Sequence, residues 1–166
     1  YPYNVVSAVQ GPESFGGGME YPTITVLSPS KTSSEIDNTI AHEIGHNWFY
    51  GILGSNERVH PWMDEGINSY YEALYTAKKD DYFTQQADQN ELEALIAAKK
   101  DQPIETSSEL FSETNYSAIV YYKASQWLTW LHSYLGDDTF NKAMQEYYRQ
   151  WQFKHPYPED FKKALE

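Results

Sequence analysis

The stretch from Thr39 to Trp48, Thr-Ile-Ala-His-Glu-Ile-Gly-His-Asn-Trp, constrains this chain more than any other. At helical spacing His42 and His46 stand one turn apart on one face, so two imidazoles can reach one cation while Glu43 projects beside them. A reactive zinc centre takes three protein ligands and keeps a fourth position open, so a third donor must come from elsewhere. Eighteen residues separate His46 from Glu65, which Pro61-Trp62-Met63-Asp64-Glu65-Gly66 puts at the start of a second expected helix, from which a turn can return its carboxylate to the histidine pair. An isolated H-E-x-x-H pattern also arises by chance on the polar side of amphipathic helices. Its company argues for a metal site: Glu65 downstream and a Gly-rich Met-Glu segment upstream.

Cysteine is absent, which removes disulfides and thiolate ligands and leaves His and carboxylate as the only candidate zinc ligands. With 166 residues the chain suits one domain with a real core, and no apolar run is long enough to cross a bilayer. A net charge of −12, from 24 acidic and 12 basic residues, argues against a nucleic-acid partner, because phosphate contacts need clustered Lys and Arg. An acidic field would suit cationic ligands such as a free amino end, although composition alone favours a solvated acidic surface over any such role. Nothing in the sequence assigns a compartment, and no signal-like segment is present. The beginning Tyr1-Pro2-Tyr3 and the ending inside an expected helix read as a piece of a longer chain, with export of that longer form left open.

Strands are expected over Asn4–Val9 and, from its β-branched content, over Thr23–Leu27. Between them three consecutive glycines, Gly16 to Gly18, mark either a flexible loop or a close backbone approach, and the residues alone favour the loop. Thr32-Ser33-Ser34-Glu35 is a capping box. It opens a long helix whose stripe Ile36, Ile40, Ile44, Trp48 and Ile52 is expected to face the core, ending at Gly54. Positions 40 and 42 are about 200° apart on a helix, which turns the histidines toward a cleft. Further helices are expected over about 62–77, 91–100, 118–135 (closed by Gly136), 137–151 and from Pro158 onward, with 104–114 irregular. Strands first and helices afterwards make an α+β domain.

Read together, Gly17-Gly18-Met19-Glu20, the segment from His42 to Trp48 and the segment from Trp62 to Gly66 resemble the aminopeptidase N family of gluzincin zinc metallopeptidases. The resemblance is to its thermolysin-like catalytic domain and covers most of the chain. Tyr121-Tyr122-Lys123-Ala124 is similar to a further family motif, with Tyr in place of its acid and Ala in place of its Gly. By that register Tyr121 is the catalytic tyrosine and Tyr122 the competing assignment, and Tyr116 also has a counterpart in some members. The residue after the glycine-Met-Glu motif, usually Asn in the family, is Tyr21.

The resemblance implies a zincin fold with a small N-terminal β-sheet followed by a helical part carrying the zinc site. It implies one zinc ion on His42, His46 and Glu65, a zinc-activated water with Glu43 as general base, and Tyr121 as a hydrogen-bond donor to developing negative charge. Glu20 would bind the α-ammonium of a peptide with a free N-terminus, while Gly17, Gly18 and Met19 line the substrate. The flanking domains that members usually carry are expected to be missing, so low turnover is expected from these residues alone. Two other readings are a thermolysin-like zinc endopeptidase, with no use for Glu20, and a non-catalytic binding domain that retains the fold. His60, His132 and His155 lack partners at ligand spacing and are expected to pack or face solvent. Asp64, beside Glu65, could support a ligand from outside the donor set, but neighbouring helix residues diverge and it is not counted among the site residues.

Overall fold

The computed structural model describes residues 2–79 and 86–166. Three short strands come first: β1 (Ser7–Gln10), β2 (Gly18–Met19) and β3 (Ile24–Leu27). They form a sheet of order β1-β3-β2, in which β1 runs parallel to β3 and β2 antiparallel to it. Five longer helices make up most of the rest: α1 (Ser33–Gly45), α2 (Glu65–Lys78), α3 (Gln86–Ala97), and, after a three-residue turn α4 (Glu113–Asn115), α5 (Ala124–Leu135) and α6 (Asp137–Trp151). A sixth, α7 (Pro158–Leu165), closes the chain. This is the α+β arrangement expected.

The glycine run is not a free loop along its whole length. Gly18 pairs with Leu27 and Met19 with Val26, so the Met-Glu segment is a sheet edge. A Cβ on Gly18 would fall 2.0 Å from Glu43 Oε1, which makes this the close approach that the sequence left as the alternative. Thr25, buried on β3, donates from its hydroxyl to the Glu43 carbonyl at 3.2 Å. Asn47 accepts from the Thr23 amide at 2.9 Å and donates to the Ile44 carbonyl at 2.9 Å. Sheet and zinc-motif helix are thereby held as one unit.

Helix α1 begins as expected, with Thr32 accepting from the Glu35 amide at 3.1 Å and Glu35 reaching back to the Thr32 amide at 3.2 Å. Its other end differs. The α-helix stops at Gly45 and continues as a π-type segment over Asn47–Ile52, broken by non-helical dihedrals at Phe49 and Tyr50. The stripe from Ile36 to Trp48 is only half-buried, and Ile40, Ile44 and Trp48 border an open groove of about 340 Å³. Past the break, Ile52 is fully enclosed. What α1 buries most deeply is polar: Asn38 and Glu43, with His46 at its end.

Helix α2 starts at Glu65 and not at Trp62, because Pro61–Met63 form a 3₁₀ turn and leave Asp64 at the junction. The main core lies between α2, α5, α6 and α7, built from Trp62, Ile67, Tyr70, Leu128, Phe140 and Phe161 among others. Gly66 lets α2 lie against α5, since a Cβ there would meet Ala124 Cβ at 2.5 Å and the Val120 carbonyl at 2.8 Å. Glu65 is held in place by the contact its glycine neighbour permits. The expected helix over 118–135 is a π segment, Tyr116–Lys123, running into α5.

Candidate metal centre

Three donors converge where α1 faces the start of α2. His42 Nε2 lies 3.1 Å from His46 Nε2, and each is 3.2 Å from Glu65 Oε2. Tetrahedral bonds of about 2.0–2.1 Å put ligand atoms about 3.3–3.4 Å apart, so this nearly equilateral triangle has the size of one face of a zinc site. The outer nitrogens are also engaged. His46 Nδ1 is 2.6 Å from Asp64 Oδ1, and His42 Nδ1 is 2.9 Å from Glu72 Oε2. An imidazole that donates from Nδ1 presents a lone pair at Nε2. Two such lone pairs facing each other at 3.1 Å call for a cation between them, and the chemistry of the donor set fits zinc.

Charge in this cluster is strongly coupled. Burial works against a charge on His42, but the Glu65 and Glu72 carboxylates outweigh it and lift its pKa to about 9. His46 is enclosed too, and Asp64 and Glu65 raise it well above the ordinary imidazole range. Glu65 is opposed by burial yet held far below the usual carboxylate range by hydrogen bonds from both histidines. Burial pushes Asp64 upward against the pull of His46. Without metal, protons take the place of the cation.

Glu43 stands beside the triangle without belonging to it. It is 5% exposed, and its Oε2 is buried with no hydrogen-bond partner. Burial lifts its pKa to about 7, with His42 and His46 opposing and Glu20 and Glu65 adding to the rise. An enclosed, unpartnered carboxylate oxygen is costly unless something completes it, and a water at the site would do so.

Tyr121 donates to Glu65 Oε1 at 2.7 Å, and its ring lies 6.0 Å from that of His42. Burial first, then Glu65, raises the phenol far above its usual range, so it stays protonated. Tyr122 packs instead against the Leu92, Ala118 and Ile119 cluster. The π segment also brings Tyr116 alongside, with ring centroids 6.1 Å apart. Residues five apart diverge by about 140° on an α-helix, whereas the i→i+5 bonding of a π-helix returns them to one side.

A cavity of about 510 Å³ opens onto the three donors and is lined also by Gly17, Gly18, Glu20, Glu43 and Tyr121. A second pocket of about 250 Å³ contains Met19 and Tyr116 and shares Glu20 and Glu65 with the first. Glu20 therefore stands at the boundary between them. One of its carboxylate oxygens lies within 4.8 Å of donors on Glu43 and His46.

The predicted site residues thus border one cavity, except Met19, which lines the smaller pocket beside it. Asp64, which the sequence left outside the site, also touches it. The two nitrogens of the His46 ring point apart, so the diverging neighbours Asp64 and Glu65 take one each. Glu72 was missed, although its spacing was readable: seven residues after Glu65 is two helical turns, and both carboxylates lie on one face of α2. His60 meets Glu105, His132 Nδ1 meets the Tyr70 hydroxyl at 2.6 Å and His155 Nδ1 meets the Gly54 carbonyl at 2.8 Å, all outside the centre.

Comparison with known proteins agrees with this geometry. The Peptidase family M1 domain matches residues 1–166, the whole chain. The chain belongs to peptidase family M1. Among M1 relatives, Aminopeptidase M1-B of Oryza sativa subsp. japonica is 28% identical over 185 residues, covering 100% of this chain and 21% of that protein. Leucine aminopeptidase 2 of Chaetomium globosum is 30% identical over 175 residues, covering 92% of this chain and 26% of that protein. The crystal structure of the M1 zinc metallopeptidase from Deinococcus radiodurans superposes with a TM-score of 0.77 at 18% identity, covering 99% of this chain and 36% of that one. The M1 domain described here therefore spans well under half of these relatives. Among its described residues no helix is long and apolar enough to cross a membrane.

Proposed function

We propose that residues 1–166 form the catalytic domain of a zinc-dependent aminopeptidase, which releases the first residue from peptides with a free N-terminus. The observation that carries this reading is the triangle of His42, His46 and Glu65 with the unpartnered Glu43 oxygen beside it. One zinc ion held by those three residues would supply a Lewis acid that eases loss of a proton from water and polarises a carbonyl.

Each remaining step falls to a named side chain. Glu43 takes the proton of the attacking water and hands it to the departing amine nitrogen, two transfers suited to a carboxyl whose pKa is lifted to about 7. Tyr121 keeps its proton and donates it as a hydrogen bond to the oxygen that gains charge, after leaving Glu65 Oε1. Glu20 binds the α-ammonium. Gly17 and Gly18 let the peptide backbone approach, and Met19 faces the smaller pocket, whose size suits one side chain.

Glu20 at the boundary between the two cavities favours an exopeptidase over a thermolysin-like endopeptidase, because a carboxylate there selects a positive charge one residue from the bond to be cleaved. The names carried by the rice and Chaetomium relatives point the same way. The test is cleavage of one peptide with a free and with an acetylated N-terminus by zinc-loaded protein. Strong preference for the free peptide is expected. Equal cleavage would move the assignment to an endopeptidase, and a zinc-loaded protein that bound peptides without cleaving either, even with the flanking domains restored, would leave only a binding domain.

A further inference from the structure

We infer that Asp64 and Glu72 are positioning residues of the metal centre, which fix both imidazoles with Nε2 inward so that the cation enters a site already formed. This rests on the zinc reading given above and adds to it two carboxylates that are not themselves ligands.

The geometry comes from one helix. Glu65 and Glu72 stand two turns apart on the same face of α2, and the His42 ring lies across that interval with Nε2 3.2 Å from Glu65 and Nδ1 2.9 Å from Glu72. The His46 ring is gripped in the same manner one step earlier, by Asp64 at Nδ1 and Glu65 at Nε2. Between the two, Asn68 donates to the His42 carbonyl at 2.8 Å and ties the backbone of α1 to the same helix. Glu65 thus meets the inner nitrogen of each ring, while Asp64 and Glu72 meet one outer nitrogen each. Neither outer carboxylate belongs to the donor triangle, and each faces the nitrogen that must carry the proton if Nε2 is to bind metal. Partners of this kind set tautomer and ring angle, and losing one costs about 10–100-fold in metal affinity.

The experiment is chelator competition for zinc on the full chain, with the cobalt(II)-substituted form read by visible absorption. Glu72→Ala and Asp64→Ala are each expected to weaken zinc by about 10–100-fold and to shift the cobalt bands, because the ligand field reports ring orientation. Glu72→Gln and Asp64→Asn keep an oxygen able to accept from Nδ1–H but not its charge, so they should recover part of the loss. They also guard against misfolding: the isosteric Asp64→Asn replaces Asp64→Ala if the latter melts early without metal. Parent-like zinc affinity and parent-like cobalt spectra in the alanine variants, or no recovery in the amide variants, would overturn the inference while leaving the zinc ligands in place. A parent chain that takes up no zinc overturns the reading beneath it as well, and that result is seen before any variant is made.

Discussion

The two walls of the site differ in how firmly their polar groups are held. On the helical wall His42, His46, Glu65 and Asp64 each have a partner within 3.2 Å, and the imidazoles are gripped at both nitrogens. On the sheet wall β2 is a two-residue edge, Gly16 and Gly17 have open space where side chains would stand, and among the described residues Glu20 makes no side-chain hydrogen bond. On the proposed reading, metal capture is prepared by the fold, while recognition of the peptide is left for the substrate to complete. Substitutions on the two walls should separate accordingly, into loss of metal or turnover on one side and loss of discrimination on the other.

The largest separation is expected at Glu43, which sits on the helical wall but is not part of its network. Glu43→Gln removes the proposed base and leaves His42, His46 and Glu65 untouched, so zinc content should hold while kcat falls by about 10²–10⁴-fold. Zinc determination beside steady-state kinetics checks both halves. A variant as fast as the parent would require another base, and one that lost its zinc would place Glu43 within the holding network.

The same division explains what the sequence could reveal. His42 and His46 could be placed together because a helix converts spacing into direction and positions four apart share a face, whereas Glu65, on another helix, was brought in by the need for a third donor and by the family pattern. The α+β order followed from β-branched runs preceding 3.6-residue periodicity. Less legible were features made by breaks in regularity. The capping box located the start of α1, but no local signal marked the kink at Phe49 and Tyr50, so Ile36 to Ile52 read as one core stripe, whereas Ile40, Ile44 and Trp48 border an open groove and Ile52, past the kink, is enclosed. Asp64 stayed undecided because its direction depends on where the 3₁₀ turn gives way to α2, and on a ring with two opposed nitrogens. Choosing Tyr121 over Tyr122 needed the family register, since a π segment does not keep the α-helical period on which a sequence pattern rests.

A smaller effect is expected on the sheet wall. Glu20→Ala should lower kcat/KM for peptides with a free N-terminus by about 10–100-fold, corresponding to about 1.5–3 kcal/mol for a hydrogen bond to a charged group. Zinc affinity should be unchanged, and any residual cleavage of acetylated peptides should be unaffected, so the preference narrows from one side only. If Glu20→Ala also weakened zinc, the two walls would be one network and the contrast between them would fail.

The smallest effect concerns the helical wall without its metal. Glu43 is lifted from the ordinary carboxylate value of 4.5 to about 7, chiefly by burial, so the folded chain holds this proton more tightly than the unfolded chain does. Between about pH 4.5 and 7 the folded state thus binds more protons, and stability must fall as pH rises through that window. A shift of this size corresponds to about 3 kcal/mol, and about 1–2 kcal/mol remains once solvent at the cavity mouth is allowed for. Glu43→Gln cannot titrate, so the metal-free variant should gain on the metal-free parent by about that amount between pH 5 and pH 8 in denaturant unfolding. Zinc should narrow the gap, because the cation stabilises the carboxylate in the proton's place. A difference that stays flat with pH would mean that Glu43 is already charged in the metal-free fold, and that the helical wall keeps no group in reserve.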